Sequence, residues 1–105
     1  MDLTEDQANA AIIFFFQSKQ YEEAERLALL VTKQFPTNQF GWKALGAVLK
    51  NLGKPHEALV AYKRAIKLSP RDEEAHSNLG VLQQELGKLS AAATSLKKAI
   101  SIKPN

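Results

Sequence analysis

Three prolines divide this chain into equal lengths: Pro36, Pro70 and Pro104 recur at a spacing of 34 residues. Other residues keep the same period. Leu45 and Gly46 return as Leu79 and Gly80, Gly53-Lys54 as Gly87-Lys88, Ala58 as Ala92 and Ala65 as Ala99. A fixed period of this length marks a repeat array, in which each unit buries its apolar side against the next.

The best-preserved unit runs from Gln39 to Asp72. Trp42, Leu45, Gly46 and Leu49 fall at i, i+3, i+4 and i+7 and so share one helical stripe. After the break at Gly53-Lys54-Pro55, Ala58, Tyr62, Ala65 and Ile66 form a second stripe. Two such helices joined by a short turn bury their stripes against each other or against another copy. Trp42-x2-Leu45-Gly46-x2-Leu49, Ala58-x3-Tyr62 and Pro70 resemble the W-x2-L-G-x2-Y, A-x3-F, P pattern of the tetratricopeptide repeat (TPR) family. Leu49 and Tyr62 are conservative departures from it.

The resemblance implies an all-α fold, an α-solenoid of three helix-turn-helix repeats whose six antiparallel helices form a right-handed superhelical stack. One TPR domain is expected over residues 1–105, with repeats at 5–38, 39–72 and 73–105. The signature residues are Trp42, Leu45, Gly46, Ala58, Tyr62, Ala65, Pro70, Leu79, Gly80, Ala92 and Ala99. Repeat one diverges, as terminal repeats do: Ala8, Ala11 and Ile12 stand where repeat two has Trp42, Leu45 and Gly46.

Helix boundaries follow from caps and breakers. Thr4 with Gln7 is a capping-box start for a helix to about Ser18. Lys19-Gln20 turns the chain into a second helix, Tyr21 to Gln34, stopped by Phe35-Pro36. Thr37-Asn38 caps a third helix to about Asn51. Gly53 and Gly87 suit left-handed helix ends, and Pro55 fits a first-turn position. The fourth helix ends near Leu68. Arg71-Asp72 opens the fifth helix, to about Glu85, with Glu73 and Glu74 near its positive end. The sixth runs from Leu89 to Ile102.

A chain of 105 residues has room for one domain. It has no cysteine, which removes disulfides, thiolate metal sites and a cysteine nucleophile and suits a reducing compartment. The longest apolar run, Ile12 to Phe16, is far short of the ~20 residues of a membrane span, and the acidic start lacks the basic region of a signal peptide. A cytoplasmic location, with no membrane partner, is the expectation.

The net charge of +3 is unevenly spread, at −3 over residues 1–35, +5 over 36–70 and +1 over 71–105. An excess in one repeat can draw an acidic partner; the structural alternative is that Lys63, Arg64 and Lys67 solvate an outer helix face. Nothing points to nucleic acid, since no basic stripe is interleaved with aromatics.

Catalysis lacks its residues. His56 and His76 are the only histidines, in different repeats, with no Ser or carboxylate at triad spacing and no metal-ligand set. His76 takes the Trp42 position of repeat three and reads as a packing residue. Neither glycine-lysine pair has the rest of a phosphate loop. No enzyme activity, cofactor or metal is expected.

The remaining function is binding. Opposite the packing stripe lies a second one: Phe40, Lys43, Ala44, Ala47, Lys50 and Asn51 in repeat two. Its counterparts are Asp6, Asn9, Ala10, Ile13, Phe16 and Gln17 in repeat one, and Glu74, Ser77, Asn78, Val81, Gln84 and Glu85 in repeat three. The resemblance places this stripe in a concave groove that takes extended peptides. The groove residues are then Asn9, Ile13, Phe16, Phe40, Lys43, Ala47, Lys50, Asn78, Val81 and Gln84. Ala44 and Ala47 would allow close approach, and Lys43, Lys50 and Asn78 would offer donors.

Two family subtypes are distinguishable by residue. The carboxylate clamp of chaperone-binding members would fall on Asn9, Ile13, Ala44, Glu74 and Asn78, and the acid at Glu74 argues against a chaperone C-terminus. Ala75-His76-Ser77-Asn78-Leu79-Gly80 is similar to repeats in the arms of O-GlcNAc transferase and bacterial TPR-transferase proteins, but Ala10 and Ala44 interrupt their asparagine ladder.

The expectation is a non-catalytic protein-interaction scaffold that binds a peptide or partner surface in its groove. One alternative is the substrate-presenting arm of a larger glycosyl- or sulfotransferase-type protein. Another is self-assembly, through the Ile12–Phe16 patch or through an uncapped end at Leu96, Ile100 and Ile102; the stop at Pro104-Asn105, without a capping helix, leads us to expect a fragment of a longer protein.

Overall fold

The computed structural model describes residues 3–103; Met1-Asp2 and Pro104-Asn105 lie outside the described residues. Six helices follow in order: α1 (Glu5–Gln17), α2 (Tyr21–Gln34), α3 (Gln39–Asn51), α4 (Pro55–Leu68), α5 (Glu73–Glu85) and α6 (Leu89–Ile102). The described residues contain no strand.

Each boundary has a local cause. Both bonds of the capping box join Thr4 and Gln7 at the start of α1. Asn38 and Asp72 cap α3 and α5 by accepting from the Gly41 and Ala75 N–H groups. Asp72 is therefore the cap rather than the first residue of α5. The first helix of every hairpin ends in one way. The Lys54 N–H reaches back to the Leu49 carbonyl at 2.9 Å and the Gly53 N–H to that of Lys50 at 3.1 Å, with Gly53 at φ 75°. Gly87 repeats this at φ 77°, and in the first hairpin Lys19 takes the same place at φ 60°. This is the Schellman ending, which glycine enters without steric cost and lysine does not.

Helices pack with their partner in the hairpin and with the neighbouring hairpin, through α2 against α3 and α4 against α5. The result is a stack of extents 44 × 25 × 23 Å rather than a closed bundle. One apolar core runs through it, from Ala8 and Ile12 through Leu45, Leu49, Ala58 and Tyr62 to Leu79 and Leu82.

The divergence of the first hairpin has a packing explanation. A Cβ added to Gly46 would lie 2.8 Å from the Tyr62 ring, and one on Gly80 would lie 2.7 Å from Leu96. The corresponding positions in the first hairpin are Ile12 and Ala28, both fully buried in the core. The large side chain is on the first helix instead of the second, so both arrangements fill the same gap. The signature residues of both later hairpins are buried, except Trp42, which is half-buried, and Pro70, which is exposed.

Trp42 and His76 play one role at the same position. The Trp42 indole N–H donates to the Pro36 carbonyl at 2.9 Å, and His76 Nε2 lies 2.8 Å from that of Pro70. A carbonyl only accepts, so Nε2 carries the proton there. The expected packing histidine is thus also a hydrogen-bonded tie across the hairpin entry.

Candidate functional site

The first helices of the hairpins, α1, α3 and α5, jointly form a cleft of about 210 Å³. Ile13, Phe16 and Gln17 come from α1, Phe40, Lys43, Ala44 and Ala47 from α3, and Glu74 and Asn78 from α5, with Ile12 beneath. Six of the ten expected groove residues therefore meet: Ile13, Phe16, Phe40, Lys43, Ala47 and Asn78. Asn9, Lys50, Val81 and Gln84 do not line this cleft, although Val81 and Gln84 are exposed on α5. Its apolar wall is held by aromatic contact, the Phe16 ring meeting Tyr21 edge-on at 5.5 Å between centroids. Ile13 is 43% exposed, which leaves an apolar side chain at the mouth.

The expected free donors require correction. Lys43 Nζ is 2.9 Å from Asp72 Oδ2 and 2.8 Å from Glu74 Oε1, and Lys50 Nζ is 3.2 Å from Glu85 Oε1. Desolvation opposes the charge on Lys43, but its hydrogen bonds to Glu74 and Asp72 outweigh it and raise the pKa of the ammonium group above its usual value. Desolvation likewise opposes the Asp72 carboxylate, and its bonds to Lys43, the Ala75 N–H and Gln39 hold its pKa below the usual value. Asn9 is also engaged, its Oδ1 accepting from Asn38 Nδ2 at 3.2 Å.

These contacts form a periodic device. Asn38 and Asp72 are 34 residues apart, as are Asn9 and Lys43. In each case the residue that caps a first helix also bonds back to the first helix of the preceding hairpin. Gln39 adds a further bond to Asp72 at 2.7 Å. Two of the three expected donors, Lys43 and Lys50, and the groove residue Asn9, as an acceptor, thus brace neighbouring hairpins. The shared period was in the sequence, but a cap that also reaches across hairpins has no motif of its own.

Sequence reasoning also missed a buried polar pair. Gln83 occupies the position of Leu49, and its Oε1 accepts from the Ser95 hydroxyl at 2.7 Å, with both residues buried. Tyr62, behind the cleft, is pushed up to about 12 by burial and by the Glu74 charge, so it remains a neutral packing group.

A stack of helical hairpins with a cleft along its first helices defines the class: an α-solenoid. Family comparison identifies it more closely. A TPR repeat model matches residues 46–87 and a tetratricopeptide repeat model residues 73–105, together more than half of the chain. The chain belongs to the tetratricopeptide repeat family. Among solved structures, it resembles MamA MSR-1 at 26% identity and a TM-score of 0.87, covering 96% of this chain and 58% of that one. MamA AMB-1 matches at 25% identity and 0.88, covering 97% and 56%. This chain therefore spans a little over half the length of these MamA chains. The Yersinia enterocolitica type III secretion translocator chaperone SycD matches at 18% identity and 0.92, covering 99% and 74%, a likeness of fold alone. No curated protein matches the chain at a significant level. No described helix is long and apolar enough to cross a membrane.

Proposed function

We propose that this protein is a non-catalytic interaction module of three tandem repeats, at 5–38, 39–72 and 73–105, that holds an extended peptide or partner segment along α1, α3 and α5. One observation carries the reading: the cleft has an apolar wall of Ile13, Phe16 and Phe40 beside the small side chains of Ala44 and Ala47. Its 210 Å³ is below the ~300–1,000 Å³ of small-molecule sites, so it suits a side chain or two of a longer ligand. Asn78 offers the amide donor and acceptor for the ligand backbone, and Val81 and Gln84 extend the surface along α5. Lys43, Lys50 and Asn9 shape the groove through their bonds across hairpins, and apolar anchoring replaces the acidic ligand read from the lysines.

Selection of phage-displayed random peptides of about twelve residues on the immobilised protein tests this reading. Ala47→Arg puts a long side chain in the cleft and, at a partly exposed site, should cost less than ~1 kcal/mol of stability. Selected peptides should carry a bulky apolar residue and lose at least about tenfold in affinity for that variant. Failure to enrich any peptide, or equal binding to Ala47→Arg, contradicts the reading.

Self-association is a second reading, favoured by two exposures. Phe14 is 59% exposed, whereas Val48 and Leu82 at the same repeat position are fully buried. Ile100 is 61% exposed, and its counterpart Ile66 packs against the core. Light scattering across a dilution series tests it, and a monomer at every concentration removes it.

A further inference from the structure

We infer that a second interaction surface lies between α4 and α6, away from the groove, and that it takes an acidic protein segment carrying an aliphatic side chain. Asp72, Glu74 and Glu85 of the third hairpin bond to Lys43 and Lys50 of the second. From Lys63 onward, no described lysine or arginine makes an ion pair, whereas Arg26, Lys43, Lys50 and Lys54 all do. Of the four carboxylates of the third hairpin, only Glu73 is not engaged in this way. The unpaired positive charge of the later half therefore lies mainly on α4 and α6, whereas α2 carries more acidic than basic residues. α6 has no acidic residue, and α4 has only Glu57, in its first turn.

That charge borders a cleft. Lys63 and Ile66 of α4, His76 and Leu79 of α5, and Thr94 and Lys98 of α6 line an opening of about 360 Å³. His76 Nε2 is committed to the Pro70 carbonyl and the Thr94 hydroxyl to that of Ser90. This leaves the two ammonium groups as the charged contacts, with Ile66 and Leu79 as the apolar base. Two cations at the edge of an aliphatic floor complement carboxylates flanking a leucine-like side chain. Lysine is a compact point charge and does not demand bidentate geometry, so several arrangements of the acidic flank are accommodated. The groove differs in kind, because Lys43, the lysine that lines it, is neutralised in place.

Fluorescence anisotropy tests the inference with a fluorescein-labelled peptide of roughly twelve residues, alternating Glu and Asp around a central Leu-Leu. The wild-type chain should bind it, and more weakly as NaCl is raised, since exposed charges are screened over ~10 Å at 0.1 M salt. Lys63→Glu with Lys98→Glu should weaken binding by about tenfold or more, and Lys63→Gln with Lys98→Gln by about threefold. Circular dichroism and thermal melting should match wild type for both variants, as these side chains are exposed. Lys33→Glu with Lys97→Glu makes the same change in net charge outside the cleft, and it and Ala47→Arg should stay within about twofold of wild type. The inference is overturned by absence of binding, by loss with Ala47→Arg, or by equal losses in the Lys33/Lys97 control. It is also overturned if a Ser-Ser probe, or a DNA oligonucleotide of equal charge, binds as tightly. None of these outcomes bears on the groove except loss with Ala47→Arg, which would assign the acidic ligand to it.

Discussion

Gly46 and Tyr62 exchange volume across a hairpin, and that exchange sets what single substitutions cost. Gly46→Leu would press into the Tyr62 ring, where even a Cβ at 2.8 Å has no room. We expect a loss of ~1–3 kcal/mol by denaturant unfolding, and an unchanged midpoint would contradict the packing. Ser95→Ala strips the buried Gln83 amide of its partner and should cost ~1–3 kcal/mol, although it removes only one oxygen. Lys19 offers a gain: relief of its left-handed backbone in Lys19→Gly exceeds the added unfolded-state entropy, for a net stabilisation of up to ~1 kcal/mol in thermal melting. Gly53 and Gly87 were readable as helix ends because glycine advertises that geometry; Lys19 shares it and gives no such sign.

Each first helix is held to the next by its cap, so helix start and hairpin register are fixed together. Asp72 does this for α3 and α5, bonding Lys43, Gln39 and the Ala75 N–H at once. Its pKa is lowered on folding from the ordinary 3.8, so its contribution is complete above pH 3.8 and lost as pH falls toward the folded value. Lys43 and Tyr62 have raised pKa values, so their contributions hold below 10.5 and 10.0 and are lost as pH rises past those values. Stability measured against pH should therefore be flat near neutrality and fall at both extremes, with a shallower acid limb in Asp72→Asn. An acid limb of equal steepness in that variant would contradict the bracing role. Helix spans were legible to within a residue or so, because Thr4, Asn38, Asp72, Pro55 and the glycines each act locally. The braces were not, since they join residues 29 apart and depend on how hairpins are placed.

The stack separates two kinds of surface. Stripe arithmetic put Ile13, Phe16, Phe40, Ala47 and Asn78 on one face, and the fold brings those five into one cleft. It could not show that Lys43 and Lys50 on the same face are neutralised, because their partners come from the next hairpin. At the ends, interior repeats do not simply continue. Gln7 occupies the position of Gly41, where a Cβ would lie 2.7 Å from Val31, and of the buried Ala75. A copy stacked in the interior register would have to displace Gln7 from its bond to Thr4. Any self-association should therefore use a different register, and Phe14→Glu should abolish it if that end takes part, as light scattering would show. Amide chemical-shift mapping with a peptide selected on the wild-type chain probes the groove itself. We predict shifts concentrated at Ile13, Phe16, Phe40, Ala47 and Asn78; shifts confined to α2, α4 and α6 would contradict the account.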